Sequence, residues 1–372
     1  MTAVAAPTAS AAPSAAGYIG RIPVRNLWLL MLYASDLFRT GGVKAVALED
    51  NPDDLPDLVA DLLAHAVEAR QRRRLSLDYL AREGVLNRVR GRIDMLRTER
   101  HQLLSRGLVA CRFDELSIDT PRNRFVRAAL ETIARIVSRK DLAPRCRALA
   151  NGMKAMGVSG QAPTRAQMSM DRFGRNDAED RFMVAAAQLA FDLALPTEAS
   201  GANVFALPDR EEVWVRRLFE RAVGGFYDVT LRTQGWQVKC GGTLGWQVEG
   251  KTAGIDRILP SMRTDVVLDH SATGRRIVID TKFNAIVTRG WYREDTLRSG
   301  YLYQIYAYLR SQVGQGDVMA DSASGMLLHP AIGQVVDEAA VIQGHQIRFA
   351  TVDLGAESGE IRRQLRRLVV EG

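Results

Sequence analysis

Hydrophobic positions in the first half of the chain recur mainly at helical spacing. Residues 22–38, IPVRNLWLLMLYASDLF, show this spacing after Asn26, a plausible N-cap, and predict a first helix. A second helix is predicted over residues 55–74. A third is predicted to begin at Asp119 or Thr120, just before a proline that suits the first turn of a helix. We therefore expect this half of the chain to be mostly helical.

The pattern changes after about residue 200 to short strands separated by glycine-rich turns. A helix is predicted over residues 211–227, ended by Gly224 and Gly225. Residues 263–283, RTDVVLDHSATGRRIVIDTKF, are typical of two strands of a hairpin, and residues 295–312 of a helix. Helices on both sides of a hairpin predict a compact α/β (α+β) unit. The family resemblance given below implies, for this unit, a central mixed sheet flanked by helices.

These patterns divide the 372 residues into three segments. Residues 1–18 are rich in Ala, Pro and Ser and carry no charge, which predicts a disordered tail. Residues 19–200 are predicted to form a mostly helical domain, with a strand and turn around Gly91. Residues 201–372 are predicted to form a second domain that contains the hairpin.

Composition argues against several classes of protein. Hydrophobic residues make up 47% and charged residues 25%, as in ordinary globular proteins. No apolar run approaches the ~18 residues of a membrane span, so we expect none. The three cysteines and five histidines are scattered, which argues against a disulfide framework or a zinc site and favours the reducing cytoplasm.

The net charge of +7 is unevenly placed, because Lys and Arg exceed Asp and Glu most strongly in residues 70–150. A local surplus of this kind attracts a polyanion or an acidic protein surface. For any single arginine, a place on a solvated helix is an equally good interpretation.

The hairpin carries charged residues next to its apolar runs. Side chains alternate between the faces of a strand, so Asp280 and Lys282 should point the same way, and the turn can bring Asp265 beside them. Two close carboxylates repel unless a cation lies between them, and Mg²⁺ prefers oxygen ligands. These residues predict a site where Lys282 orients a water that attacks a phosphodiester. The alternative is a surface hairpin with solvated or cross-strand-paired charges.

This arrangement resembles the D…(D/E)-x-K motif of the PD-(D/E)xK nucleases, matched by RTD at residues 263–265 and DTK at residues 280–282. That superfamily usually has an acidic residue on a helix before the hairpin. Glu220 fits this position, and Glu212 or Glu211 on the same helix are alternatives.

A further match lies on the helix after the hairpin. One branch of the superfamily carries Q-x-x-x-Y there, and QIYAY supplies Gln304 and Tyr308, which share one helix face. The resemblance implies a Mg²⁺-dependent deoxyribonuclease, with Mn²⁺ as a substitute ion. The catalytic residues that it implies are Asp265, Asp280, Lys282, Glu220, Gln304 and Tyr308. The metal ligands that it implies are Asp265, Asp280, Glu220 and the backbone carbonyl of Thr281.

From about residue 21 onward, the chain also resembles the McrC subunit of McrBC-type, modification-dependent (type IV) restriction systems. The matching stretches, in order, are IPVRNLWLLMLYA, RGRID, FDEL, DTPRNR, RTDVVL, IVIDTKF, LYQIYAYL and TVDLG. The resemblance implies that residues 19–200 dock on a ring of McrB, a AAA+ GTPase, and stimulate its GTP hydrolysis. It implies that residues 201–372 form an endonuclease that cuts double-stranded DNA, whose methylated cytosine the partner recognises.

The chain has no P-loop, so we expect it to bind no nucleotide itself. Arg88, Arg90, Arg92 and Lys154 are the residues that could reach the nucleotide site of the partner, although each could equally lie on a solvated loop. Two other functions stay open. One is an autonomous repair or recombination nuclease, and the other is a non-catalytic adaptor that only activates the partner ring.

Overall fold

A computed structural model describes most of the chain. The described residues are 18–19, 22–35, 37, 54–164, 167–168, 170–174, 177–201, 208–284, 287–288, 296–332 and 335–371. The predicted disordered tail therefore lies outside them, apart from its last residue.

The described helices and strands alternate along much of the chain. The helices are α1 (Val24–Ala34), α2 (Leu55–Arg73), α3 (Met95–Arg100), α4 (Pro121–Ile133), α5 (Leu142–Ala155), α6 (Ala178–Gly201), α7 (Pro208–Leu231), α8 (Ser299–Arg310), α9 (Val318–Asp321) and α10 (Ser358–Val370). The strands are β1 (Tyr18–Ile19), β2 (Ile22–Pro23), β3 (Asp78–Leu86), β4 (Arg92–Ile93), β5 (Val109–Ser117), β6 (Trp236–Cys240), β7 (Thr243–Leu244), β8 (Met262–Arg263), β9 (Val266–His270), β10 (Arg275–Thr281), β11 (Val287–Thr288), β12 (Thr296–Leu297), β13 (Ser324–Ala331), β14 (Asp337–Ile342) and β15 (His345–Asp353). No helix among these described residues is long and apolar enough to span a membrane.

The chain divides into two compact units, and one of them is discontinuous in sequence. It comprises Met1–Leu55 together with Leu195–Gly372, whereas the other comprises Pro56–Ala194. The division near residue 195 lies close to the predicted boundary at residue 200. Helix α1, however, belongs with the C-terminal residues rather than with the helical domain predicted over residues 19–200.

Long-range packing explains where α1 belongs. The ring of Tyr33 meets the ring of Phe226 on α7 edge-on, with centroids 5.1 Å apart. Asn26 is buried inside α1, and its side chain donates to the carbonyls of Leu354 at 2.7 Å and Ala356 at 3.0 Å. The prediction that Asn26 caps the helix is therefore wrong. The position has a polar side chain because two buried carbonyls need a donor.

Helix α7 runs through the two glycines that were predicted to end it. A Cβ atom at Gly224 would lie 2.6 Å from Sγ of Cys240, and one at Gly225 would lie 1.8 Å from the carbonyl oxygen of Tyr33. These glycines therefore allow a strand and a second helix to approach α7 closely. The prediction that they stop the helix is wrong.

A six-stranded mixed sheet forms the centre of this unit, in the order β14-β15-β13-β10-β9-β6. The pairs β10–β13 and β13–β15 are parallel, and the other three pairs are antiparallel. Helix α7 approaches one face at Val266, whereas α8 packs over Gly325 on the other face, where a Cβ atom would lie 2.8 Å from the side chain of Ile305. The predicted mixed sheet flanked by helices is confirmed.

The second unit combines helices with a small antiparallel sheet in the order β3-β5-β4. The predicted start of the third helix is confirmed, because the hydroxyl of Thr120 accepts a hydrogen bond from the backbone N–H of Asn123 and Pro121 lies in the first turn. Gly91 has a φ of 66° in the predicted turn before β4. A side chain there would collide with the carbonyl of Arg112, 2.4 Å away.

Candidate active site

The candidate site lies where strand β10 ends beside the start of β9. These strands form the predicted antiparallel hairpin, with Val266 opposite Ile279. The residue before Val266 is Asp265 and the residue after Ile279 is Asp280, so the same ladder brings the two carboxylates to neighbouring strands. The apolar part of the hairpin is buried, and its charged residues follow at the edge of the core.

Asp280 and Lys282 form a buried ion pair, with Lys282 Nζ 2.7 Å from Asp280 Oδ2. Asp280 is 1% exposed and Lys282 is 7% exposed. The lysine is anchored by its backbone N–H, which donates to the carbonyl of Leu328 at 3.0 Å. The ammonium group engages Asp280 Oδ2 at this distance, and no other donor among the described residues reaches that buried oxygen. Because a carboxylate oxygen has two lone pairs, one acceptor direction of Asp280 Oδ2 stays open.

Asp265 is held by the last residue of β10. The backbone N–H and the hydroxyl of Thr281 both donate to Asp265 Oδ2, at 2.7 and 2.8 Å. Among the described residues, no hydrogen bond reaches the other carboxylate oxygen, Oδ1. The hydroxyl of Thr281 was not predicted to have this role, and its backbone carbonyl stays a predicted metal ligand.

Glu220 on α7 is the acidic helix residue whose pKa is affected by the charges of this site. Burial raises its pKa, and the negative charge of Asp265 raises it further, whereas the positive charges of Arg263, Arg216 and Lys282 lower it. Its neighbour on α7, Phe219, packs against Phe283, which lies two residues after the end of β10, with ring centroids 6.2 Å apart. The side chains of the two alternatives, Glu211 and Glu212, lie outside the described residues.

The charge of Asp265 adds to the raised pKa of two nearby carboxyl groups. Burial raises the pKa of Asp280 to about 6; the charge of Lys282 opposes this shift, and that of Asp265 adds to it. Glu220 has a raised pKa for the same two kinds of reason, burial and Asp265. Carboxyl groups that repel one another in a buried place favour a bound cation.

The predicted pair on α8 also faces the site. Gln304 Nε2 donates to the hydroxyl of Tyr308 at 2.5 Å. Burial raises the pKa of Tyr308; the hydrogen bond from Gln304 opposes the shift, and the charges of Asp280 and Asp265 add to it. The structure thus places Tyr308 within electrostatic range of both aspartates, with Gln304 hydrogen-bonded to it.

Three residues around Lys282 were missed by the sequence reasoning. Lys282 Nζ lies 5.0 Å from the ring centroid of Tyr301, and Asn284 Nδ2 donates to the hydroxyl of Tyr301 at 2.5 Å. His329 Nδ1 lies 2.9 Å from the carbonyl oxygen of Asn284. Helical spacing contained a signal for Tyr301, because it lies three residues before Gln304 on α8.

The donor set suits a divalent ion without forming a complete cage. Among the described residues, no group of three or more His, Cys, Asp or Glu side chains is arranged closely enough to hold a metal. Two carboxylates, Asp265 and Asp280, with the open direction on Asp280 Oδ2, nonetheless fit Mg²⁺, which commonly uses one or two carboxylates and keeps several waters. Glu220 is a further oxygen donor nearby.

The predicted partner-contacting residues belong to the unit Pro56–Ala194. Two are already paired: Arg90 with Glu115, at 3.2 Å, and Lys154 with Glu131, at 2.8 Å. Arg88 and Arg92 are exposed and have no acidic partner among the described residues. Arg92 also lines an open groove of 690 Å³.

Comparisons with known proteins agree on one family. Residues 8–208 match the family described as McrBC 5-methylcytosine restriction system component. The chain is 25% identical over 347 residues to the type IV methyl-directed restriction enzyme EcoKMcrBC of Escherichia coli strain K12, an alignment that covers 92% of this chain and 96% of that protein.

Two solved structures from Thermococcus gammatolerans are also similar to the chain. One is the half-complex from a tetradecameric assembly of McrB AAA+ hexamers with bound McrC, with 17% identity, a TM-score of 0.44, and coverage of 93% of this chain and 76% of that chain. The other is the McrBC complex, with 18% identity, a TM-score of 0.31, and coverage of 50% and 61%. The family match spans more than half of the length of this chain, so the chain belongs to the McrBC 5-methylcytosine restriction system component family.

Proposed function

We propose that this chain is the endonuclease subunit of a GTP-dependent restriction complex that cleaves methylcytosine-containing DNA by Mg²⁺-dependent hydrolysis of a phosphodiester. The buried ion pair of Asp280 and Lys282, next to Asp265, is the observation that carries the proposal. Burying a charged pair is costly, and perturbed carboxyl groups cluster at functional sites. Membership of the family supports the restriction context.

Each residue of the site has a distinct role in this proposal. Asp265 and Asp280 would supply carboxylate oxygens to the ion, and Thr281 fixes the orientation of Asp265 through its two hydrogen bonds. The ammonium group of Lys282 donates a hydrogen bond to the attacking water and holds it in line with the phosphorus atom. A bound Mg²⁺ would supply Lewis acidity to the phosphate and lower the pKa of a coordinated water.

The residues on the flanking helices complete this proposal. Glu220 approaches from α7 and would supply a further oxygen ligand to the ion. Gln304 and Tyr308 approach from α8, and their amide and hydroxyl groups donate hydrogen bonds to the DNA backbone. The electrostatic coupling of Tyr308 to both aspartates, and its hydrogen bond from Gln304, support this role.

An McrB-like AAA+ GTPase ring is the partner that we propose. The family, and the name of the similar Escherichia coli enzyme EcoKMcrBC, support this partner. Stimulation of its GTP hydrolysis would come from exposed basic groups of the unit Pro56–Ala194. Arg88 and Arg92 suit this role better than Arg90 and Lys154, because the latter two are already engaged with carboxylates.

The test compares the full chain with its Asp280→Asn variant, assembled with the partner GTPase from the same organism. Cleavage of methylated double-stranded DNA is measured with GTP and Mg²⁺, and GTP hydrolysis is measured in parallel. We expect cleavage to be lost and GTPase stimulation to be retained. Asp256→Asn is the matched control, because Asp256 is exposed in the same unit and pairs with Lys251 at 2.8 Å.

Each contrary outcome has a definite meaning. Cleavage by Asp280→Asn at the wild-type rate would refute the nuclease assignment and favour an adaptor that only activates the ring. Mg²⁺-dependent cleavage by the chain alone, unchanged by partner and GTP, would instead favour an autonomous repair or recombination nuclease.

A further inference from the structure

Lys282 contacts an aromatic ring as well as its carboxylate partner. Its Nζ lies 2.7 Å from Asp280 Oδ2 and 5.0 Å from the centroid of the Tyr301 ring. The separation from the ring is within the range of a cation–π interaction, which strengthens when the cation is shielded from water. The lysine side chain is only 8% exposed, so this condition is met.

The ring of Tyr301 is itself held in place. Asn284 Nδ2 donates to its hydroxyl at 2.5 Å, and His329 Nδ1 lies 2.9 Å from the carbonyl oxygen of Asn284. Because a carbonyl oxygen only accepts, His329 Nδ1 carries the proton. His329 is 2% exposed, and its ring centroid lies 6.1 Å from that of Tyr301. The buried imidazole of His329 and the amide of Asn284 thus form a connected support for the phenol ring of Tyr301.

Tyr301 approaches the site from the same helix face as the predicted pair, Gln304 and Tyr308. Tyr301, Gln304 and Tyr308 are spaced by three and four residues on α8, so they lie on one face of that helix. Tyr308 lies within electrostatic range of both aspartates, and Tyr301 contacts the lysine. Helix α8 therefore interacts with both halves of the charged cluster.

We propose that Tyr301 is a positioning residue that holds the ammonium group of Lys282 at the site of hydrolysis, with Asn284 and His329 fixing its ring. This inference rests on the proposed nuclease function. The physical reason is that a lysine side chain has a long, flexible stem, so a single carboxylate contact leaves several rotamers open. The ring restricts them by attraction to its face, and it does so without adding a negative charge that would compete for the metal.

A second cation lies near the same ring. The guanidinium carbon of Arg298 is 6.0 Å from the centroid of Tyr301, which is 1.0 Å farther than Lys282 Nζ. The shorter approach gives Lys282 the stronger interaction with the ring, because the attraction falls off with distance.

The test uses three ring variants in the full complex of chain, partner GTPase, GTP, Mg²⁺ and methylated DNA. Tyr301→Leu removes the ring, Tyr301→Met removes it while keeping a longer side chain, and Tyr301→Phe keeps the ring but loses the hydroxyl. Tyr303→Leu is the matched control, because Tyr303 is on the same helix and 68% exposed. The readouts are the single-turnover cleavage rate, the affinity for DNA, GTP hydrolysis and thermal unfolding of the chain.

We expect Tyr301→Leu and Tyr301→Met to lower the cleavage rate about tenfold, with DNA affinity and GTP hydrolysis unchanged. Tyr301→Phe should stay within about threefold of wild type, because the ring face remains. Tyr303→Leu should match wild type. A folded ring-deleted variant with the wild-type rate, or one that loses DNA affinity instead of rate, would overturn the inference.

The two proposals can fail separately. If Asp280→Asn is inactive while Tyr301→Leu and Tyr301→Met cleave normally, only the positioning role fails. If Asp280→Asn cleaves normally, the nuclease assignment fails and the positioning role fails with it. If one ring-deleted variant does not fold, the other one and Tyr301→Phe still test the positioning role. Equal losses of cleavage rate in Tyr301→Phe and in the folded ring-deleted variant would exclude the ring face as the cause.

Discussion

The backbone carbonyl of Tyr33 lies directly against Gly225, where a Cβ atom would be 1.8 Å from the carbonyl oxygen. Alanine at this position must push α1 away from α7. We expect Gly225→Ala to lower the free energy of unfolding by at least about 3 kcal/mol, measured by chemical denaturation. Gly300→Ala is the control, since a Cβ atom there meets no other atom within 4 Å. Similar stability of the two variants would contradict this close packing.

Removing the Thr281 hydroxyl should affect activity more than stability. Thr281→Val keeps the shape of the side chain and the backbone hydrogen bond to Asp265, but it loses the hydroxyl contact at 2.8 Å. We expect about a tenfold loss in the single-turnover cleavage rate, because one carboxylate is less firmly oriented, and a loss of about 1 kcal/mol in unfolding free energy. Thr281→Ser restores the hydroxyl and should restore the rate. An inactive serine variant would show that the methyl group matters instead.

The raised pKa of Asp280 predicts how stability depends on pH. The folded-state pKa is about 6, against an ordinary value of 3.8, so the folded chain holds this proton more tightly than the unfolded chain. The resulting stability is fully present below about pH 4 and is lost as the pH rises through about 6.

Asp280→Asn lacks this titration and isolates it from other groups. In EDTA, we expect the unfolding free energy of wild type to fall by about 3 kcal/mol relative to the variant between about pH 4 and pH 7. Adding Mg²⁺ at about pH 7 should stabilise wild type more than the variant. A difference between the two proteins that does not change with pH would show that the folded-state pKa of Asp280 is not raised.

Arg88 and Arg92 are exposed and free of acidic partners among the described residues, so of the four predicted partner-contacting residues they have the most freedom to bind a new anion. We expect Arg88→Ala or Arg92→Ala to lower the stimulation of partner GTP hydrolysis at least about tenfold, because a basic side chain near the transferred phosphoryl group stabilises its charge. The measurement uses Asp280→Asn as background to avoid DNA cleavage. Arg366→Ala, an exposed arginine on α10, is the control. Full stimulation of GTP hydrolysis by both variants would exclude Arg88 and Arg92 as the stimulating groups.

Local patterns predicted the elements whose causes are local. The hairpin, the start of α4 at Thr120 and the turn at Gly91 follow from alternation, capping and a positive φ, which neighbouring residues determine. The proximity of Asp265, Asp280 and Lys282 could be predicted from the sequence, because strand periodicity specifies the face of the hairpin on which each side chain lies. The hydrogen bond from the Thr281 hydroxyl to Asp265 could not be predicted in this way, because strand alternation alone points Thr281 away from Asp280 and Lys282.

Features with distant causes were not predictable from local patterns. Asn26 reads as a cap until Leu354 is known to lie beside it, more than 300 residues later in sequence. Gly224 and Gly225 read as a helix end until a strand and α1 are packed against them. Each of these errors assigned to secondary structure a residue that serves tertiary packing.

The split of the unit that carries the carboxylates around residues 56–194 has a consequence during synthesis. Helix α1 leaves the ribosome before its partner α7, which follows only after the intervening unit has been made, and making that unit takes roughly ten seconds. The carbonyls that Asn26 needs are made later still, with Leu354 and Ala356. This unit therefore closes around α1 only after those two residues have been made, so a chain terminated before them lacks these contacts.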